Sequence, residues 1–250
     1  AHDWIAPAKG VRMKKAGERD WKSLPFSPAD EGPAYAVAVD DQSVVWMGTW
    51  NAVFSFRDGA LKKMPGTRGP VSLICNSREG VYAIGPDGVW LFDGDRFVEK
   101  HFSISRSVRG AISDGQQGIW VASDVGLYHC NAQGTKYFQK TDVLLSAYTK
   151  GLAFDSRGQL WVAGLGGVTI LKNGKKQRVI RPAEGCPSIY ANCARRSPDG
   201  VIWVGTKVGV VRYAPDGTHS LRFSRRWLMD DQVNDIAFDA AGNGWIPTAG

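Results

Sequence analysis

A chain of 250 residues with 30 Gly, 12 Pro and only four Met is built of strands and turns rather than helices. A single closed all-β domain is ordinary at this length. The net charge of +7 is spread along the chain and favours anionic partners, and no apolar run approaches the roughly 18 residues that a membrane-spanning helix needs.

In chain order, residues 1–10 read as a leader. Val11 to Phe26 then reads as two outer strands of a sheet unit whose inner two are missing. From residue 33 a repeat begins. Its aromatics stand at Trp46, Tyr82, Trp120, Trp161, Trp203 and Trp245, in steps of 36 to 42 residues. Self-similarity at about 40 residues with several short strands per period predicts propeller blades. Six positions before each aromatic stands a turn former: Asp40, Asn76, Asp114, Asp155, Ser197 and Asp239. Such residues start turns by bonding their own backbone. A tight break follows each aromatic strand, as at Val208-Gly209, and predicts a hairpin.

Five whole blades are expected at about 33–66, 69–100, 105–140, 148–181 and 189–224. The chain's last stretch, 233–250, holds two inner strands. Pairing them with 11–26 would make a sixth, composite blade and close the ring, removing sheet edges. The fold expected is therefore all-β: one six-bladed propeller of four-stranded antiparallel blades over residues 1–250. First strands carry small residues at one equivalent position (Ala36, Ser72, Gly110, Gly151, Cys193), as convergence toward an axis requires, with Asp235 the exception. The repeated aromatics are assigned to packing, as is His129 in the middle of a strand. Cys75 and Cys130 read as buried small hydrophobes. Cys186 and Cys193 would staple a loop in an oxidising compartment, although sequence leaves the pairing of the four cysteines open.

The motif Asp-x-x-Gly-x-(Leu/Ile)-Trp-Val-(Gly/Ala)-x-x-x-Gly-(Val/Leu) is complete at 155–168. It recurs at 114–127 with Gly118 one place late, and at 197–210 with Ser197 for Asp. It resembles the two-component regulator propeller repeat. The resemblance runs from about residue 33 to 250 and implies an extracytoplasmic setting, often with a carbohydrate ligand. Related repeats occur in propeller polysaccharide lyases. It carries no catalytic residue over to this chain.

Ligands of propellers sit at one channel mouth, built from the loops between blades and the turns between second and third strands. Eleven residues before the aromatics stand Tyr35, Val71, Arg109, Lys150, Asn192 and Asn234; five of the six are polar or aromatic, a candidate ring of donors around one mouth. The loops add Arg68, Arg106, Tyr148, Tyr190, Arg225, Arg226 and Trp227; the turns add Trp50, Asp124 and Lys207. Guanidinium forks match carboxylate and sulfate, and aromatic faces pack on sugar rings. An anionic saccharide is the expected partner, with a polysaccharide lyase as the first alternative and a protein-interaction scaffold without a small ligand as the second. Single-stranded nucleic acid would use the same ingredients, but the implied setting argues against it. Were the protein a lyase, Arg109 or Arg106 would neutralise a uronate while His101 and Tyr148 or Tyr190 acted as base and acid. No phosphate-cradling loop or metal-spaced histidine pair occurs, and Asp93-Gly-Asp95 is too sparse for a calcium loop, so neither cofactor nor metal is expected. Oligomeric state has no signature here.

Overall fold

The computed structural model describes residues 2–5, 11–15, 20–24, 32–139, 143–224, 226–239 and 241–249. At its N-terminus β1 (His2–Ile5), β2 (Arg12–Lys15) and β3 (Lys22–Ser23) form one antiparallel sheet, in which Trp4 faces Met13 and Met13 faces Lys22. Residues 2–5, read as part of a leader, are thus a strand. The tetrapeptide His-Asp-Trp-Ile is too short to display a period.

Five four-stranded sheets follow, each with its strands side by side in chain order. The first contains β4 (Ala34–Val39), β5 (Val45–Thr49), β6 (Val53–Arg57) and β7 (Ala60–Met64). The second contains β8 (Leu73–Ser77), β9 (Gly80–Gly85), β10 (Gly88–Phe92) and β11 (Phe97–Lys100). The third contains β12 (Val108–Ser113), β13 (Gly118–Ser123), β14 (Leu127–Asn131) and β15 (Gly134–Phe138). The fourth contains β16 (Thr149–Phe154), β17 (Leu160–Gly164), β18 (Gly167–Lys172) and β19 (Lys175–Ile180). The fifth contains β20 (Ala191–Arg196), β21 (Ile202–Thr206), β22 (Gly209–Tyr213) and β23 (His219–Arg222). A two-stranded sheet of β24 (Ala237–Phe238) and β25 (Gly244–Trp245) ends the chain.

The chain divides into two compact units, Ala1–Val121 with His129–Lys136, and Ala122–Tyr128 with Tyr137–Gly250. In the first, β4 lies against β8 and β8 against β12; in the second, β16 lies against β20. Within each unit the first strands of successive sheets therefore meet, and a side chain between them has little room. A Cβ on Gly151 would stand 2.4 Å from the Ala194 nitrogen and 2.5 Å from Cys193 Cα. Asp235, the exception in the small-residue series, is exposed and pairs with Arg195 at 2.9 Å.

The aromatic repeat packs as expected except at its last member, Trp245, which is exposed. Trp46 meets Phe92 and Phe97 of the next sheet at centroid distances of 4.7 and 5.8 Å, and Trp161 meets Tyr213 at 5.3 Å. His129 is structural: Nε2 is 2.9 Å from Asp114 Oδ2, and its ring stacks on Trp120 at 4.3 Å. In three of the six repeats the offset of six is a hydrogen bond. The indole N–H of Trp46 donates to Asp40, that of Trp161 to Asp155 and that of Trp203 to the Ser197 hydroxyl, at 2.7, 3.0 and 3.2 Å.

A second device repeats three residues after the aromatic. The hydroxyls of Thr49, Ser123 and Thr206, all fully buried, donate to the carbonyls of Ala52, Gly126 and Gly209 at 3.0, 2.8 and 2.8 Å. Each closes the turn from second to third strand. All four cysteines are free and buried. Cys186 and Cys193 form no staple: Cys186 Sγ donates to the Ser188 carbonyl inside one apolar cluster, while Cys193 packs into another with Val210, Val233 and Ile236.

Candidate functional site

Five of the expected ligand-site residues come together in the second unit. Tyr148, Lys150, Tyr190, Asn192 and Lys207, with Gly164, Leu165 and Ala191, line a pocket of about 290 Å3. The fourth sheet supplies Lys150 at the start of β16, and Leu165 from the β17–β18 turn. The fifth supplies Asn192 from β20 and Lys207 from the β21–β22 turn.

The two tyrosines are placed by the same local turn. The Ser146 hydroxyl accepts the Tyr148 N–H at 3.1 Å, and the Ser188 hydroxyl accepts the Tyr190 N–H at 3.0 Å. Such short-range bonds fix a loop's direction without regular structure. Ser105 and Asp230 cap the residues two places on in the same way, at 3.2 and 2.7 Å. The Tyr148 carbonyl accepts Leu165 N–H at 3.0 Å, and the Tyr190 carbonyl accepts Lys207 N–H at 3.3 Å, so each tyrosine is tied to a turn. A Cβ on Gly164 would stand 2.3 Å from the Tyr148 carbonyl oxygen, so glycine allows that approach.

The charge in the pocket has one sign, since no carboxylate stands among its lining residues. Lys150 Nζ donates to Asn192 Oδ1 at 3.3 Å and lies 5.5 Å from the Tyr148 ring centre. The Asn192 amide in turn donates to the Val233 carbonyl at 2.9 Å, which fixes which way its oxygen points. Lys207 Nζ sits 4.1 Å above the Tyr190 ring. Tyr190 and Lys207 are exposed and Lys150 is half-buried. The arrangement presents two ammonium groups and two phenol rings to one opening.

The other sequence-derived candidates are not among this pocket's lining residues. In the first unit Tyr35 and Trp50 form an exposed pair with centroids 6.2 Å apart. Arg68, His101, Arg106 and Arg109 are exposed in the same unit. In the second unit Asn234 is exposed near the Gln232 amide, and Trp227 lies under the guanidinium groups of Arg222 and Arg226 at 4.8 and 5.6 Å. Trp227 lines a separate opening with Met229 and Ile246. Arg225 lies outside the described residues. Leu165 was missed, although it stands four places after Trp161, the offset that picked out Trp50, Asp124 and Lys207. Its apolar side chain hid it.

No protein-family model matches the chain, and no curated protein matches it. Among solved structures it is similar to the extracellular domain of BT4673 of B. thetaiotaomicron, a protein assigned to hybrid two component systems: TM-score 0.77, 16% identity, 99% of this chain and 35% of that one. The chain thus spans about a third of that neighbour's length. It is also similar to the WD40 propeller domain of Doa1 (TM-score 0.75, 16% identity, 98% of this chain and 85% of that one). A third likeness is to virginiamycin B lyase from Staphylococcus aureus, with TM-score 0.72, 13% identity, and 98% and 87% of the two chains. The chain has a β-propeller fold. Proteins named for a two component system, for WD40 repeats and for a lyase share it, so the scaffold alone assigns no chemistry.

Proposed function

We propose that the protein is an extracytoplasmic propeller module that binds an anionic saccharide in the pocket between Tyr148, Lys150, Tyr190, Asn192 and Lys207. One observation carries the reading: two ammonium groups and two phenol rings share an opening whose lining residues include no carboxylate. Its volume of about 290 Å3 lies at the low end of ligand pockets, which suits one or two sugar units rather than a long chain. The likeness to an extracellular domain supports the setting.

The energetics favour a carboxylate-bearing sugar. An exposed ammonium over a ring gains about 0.5–1 kcal/mol. A hydrogen bond to a charged group gains about 1.5–3 kcal/mol. A uronate therefore draws Lys207 off Tyr190 at a net gain, and frees the ring face for the sugar's apolar side. Asn192 keeps Lys150 aimed while its own polar atoms serve ring hydroxyls.

Calorimetric titration with oligogalacturonate, and with a neutral oligosaccharide of equal length, tests this. Saturable binding of the uronate is expected, weakened at least tenfold in the Lys150→Ala, Lys207→Ala double variant and much weaker for the neutral sugar. Equal affinity of the double variant and the parent sinks the reading, as does an absence of binding to oligogalacturonate.

A further inference from the structure

A second cleft in the same unit, of about 330 Å3, shares no lining residue with that pocket and opens at the other end of the same strands. It lies between the fourth and fifth sheets. Trp161, Ile170, Ile180, Ile202 and Tyr213 form an apolar floor, and all five are buried. Arg157 ties one end shut, its Nη2 donating to the Pro215 carbonyl at 2.9 Å.

The rim depends on a bulge in the edge strand. In the β18–β19 ladder Ile170 faces Arg178 and Leu171 faces Lys176, which leaves Gln177 without a partner. Unbroken alternation would send Gln177 and Arg178 to opposite faces, whereas a bulge re-aims a side chain. Both line the cleft.

The carboxylates there are already engaged by protein donors. Asp155 accepts from the N–H groups of Arg157 and Gln159 and from the Trp161 indole, Glu184 from Arg181, and Asp216 from Thr218. Arg178 differs: its exposed guanidinium makes no hydrogen bond or ion pair among the described residues. The three acids keep their charge, so an anion is held off them and onto the open Arg178 guanidinium at the rim. The aromatic and aliphatic floor suits a ligand whose remaining body is flat and apolar. Arg offers a carboxylate two parallel N–H donors in one plane.

We propose that this cleft is a second ligand site, specific for small aromatic carboxylates, with Arg178 holding the carboxylate and the ring lying on the floor beside Trp161. The proposal does not rest on the saccharide reading. Indole 15N resonances report it directly, because Trp161 N–H donates within the cleft. Its signal is assigned with Trp161→Phe, and the intact chain is titrated with 3-phenylpropionate and with the uncharged 3-phenylpropanol. A saturable shift of the Trp161 signal is expected with the acid, at least tenfold weaker with the alcohol and in Arg178→Gln, and unchanged in the Lys150→Ala, Lys207→Ala variant. Arg178 is exposed, so its variant folds. The proposal is overturned if Trp161 does not shift, if Arg178→Gln or the alcohol binds as well as the parent pair, or if the lysine variant abolishes the shift.

Discussion

Asp155 accepts the indole N–H of Trp161 on one carboxylate oxygen, at 3.0 Å, and the main-chain N–H groups of Arg157 and Gln159 on the other, both at 2.9 Å. One side chain thus closes a turn and orients the large ring that packs on the next sheet. Asp40 does the same for Gln42, Val44 and Trp46. With three hydrogen bonds, two of them partly buried, at roughly 1 kcal/mol each, Asp155→Ala should cost about 2–3 kcal/mol in urea unfolding, with the m-value unchanged. Asp155→Asn keeps the turn but turns an N–H toward the indole in place of an acceptor, so about half of that loss is expected. A loss below about 0.5 kcal/mol in the alanine variant would remove the bond from the account of the repeat.

That bond also explains why the fold was legible. An offset of six between turn residue and aromatic is local chemistry, and local chemistry repeats visibly in sequence. Part of the site was legible for a related reason. Lys150 and Asn192 hold one position in successive repeats, and equivalent positions of adjacent sheets touch. The serine turns that aim Tyr148 and Tyr190 escaped notice because Ser-x-Tyr is common and means nothing until the repeat is aligned. Leu165 escaped because a search for polar and aromatic groups skips leucine. The cysteine staple failed on direction: Cys186 and Cys193 lie seven positions apart but belong to different apolar clusters.

Gly151 tests the convergence of first strands. The atoms that a Cβ would strike at 2.4 and 2.5 Å are main-chain atoms of Ala194 and Cys193, which cannot swing aside as a side-chain tip can. Gly151→Ala should therefore cost about 1–3 kcal/mol, as overpacking does. Gly158→Ala is the control: its φ of +69° is unfavourable to alanine, but nothing stands within 4 Å, so only the backbone penalty of roughly 1–2 kcal/mol applies. Because Gly151 adjoins Lys150, its variant should also weaken uronate binding, whereas the Gly158 variant should not. Unfolding and titration of the pair decide it: wild-type affinity in the Gly151 variant would mean that the strands part without disturbing Lys150 and Asn192.

The buried thiols predict a loss of stability in alkali. Burial pushes Cys75 up to about 12 from an ordinary 9.0. Cys193 rises to about 12, by burial first and then by the nearby Asp235 carboxylate, and Cys130 rises to about 11 by burial. The folded chain keeps these groups protonated where the unfolded chain has lost the proton. Their contribution is therefore whole below the unfolded value of 9.0 and drains away as pH climbs toward the folded values of about 11 and 12. Each such thiol costs up to about 1.4 kcal/mol per pH unit in that window. Tyr82 and Tyr213, also raised by burial, act in the same sense at higher pH. Urea unfolding across this window should show a steep decline, and Cys75→Ala should flatten it by about one proton's worth of slope. The cavity left by that substitution lowers stability at every pH alike, so the slope isolates ionisation from packing. In parallel, a thiol-specific disulfide reagent near pH 8 should leave the native chain unlabelled and titrate all four cysteines once it is unfolded. Equal slopes for parent and variant, or prompt labelling of the native chain, would mean that these sulfurs meet solvent and that the sheets do not seal them.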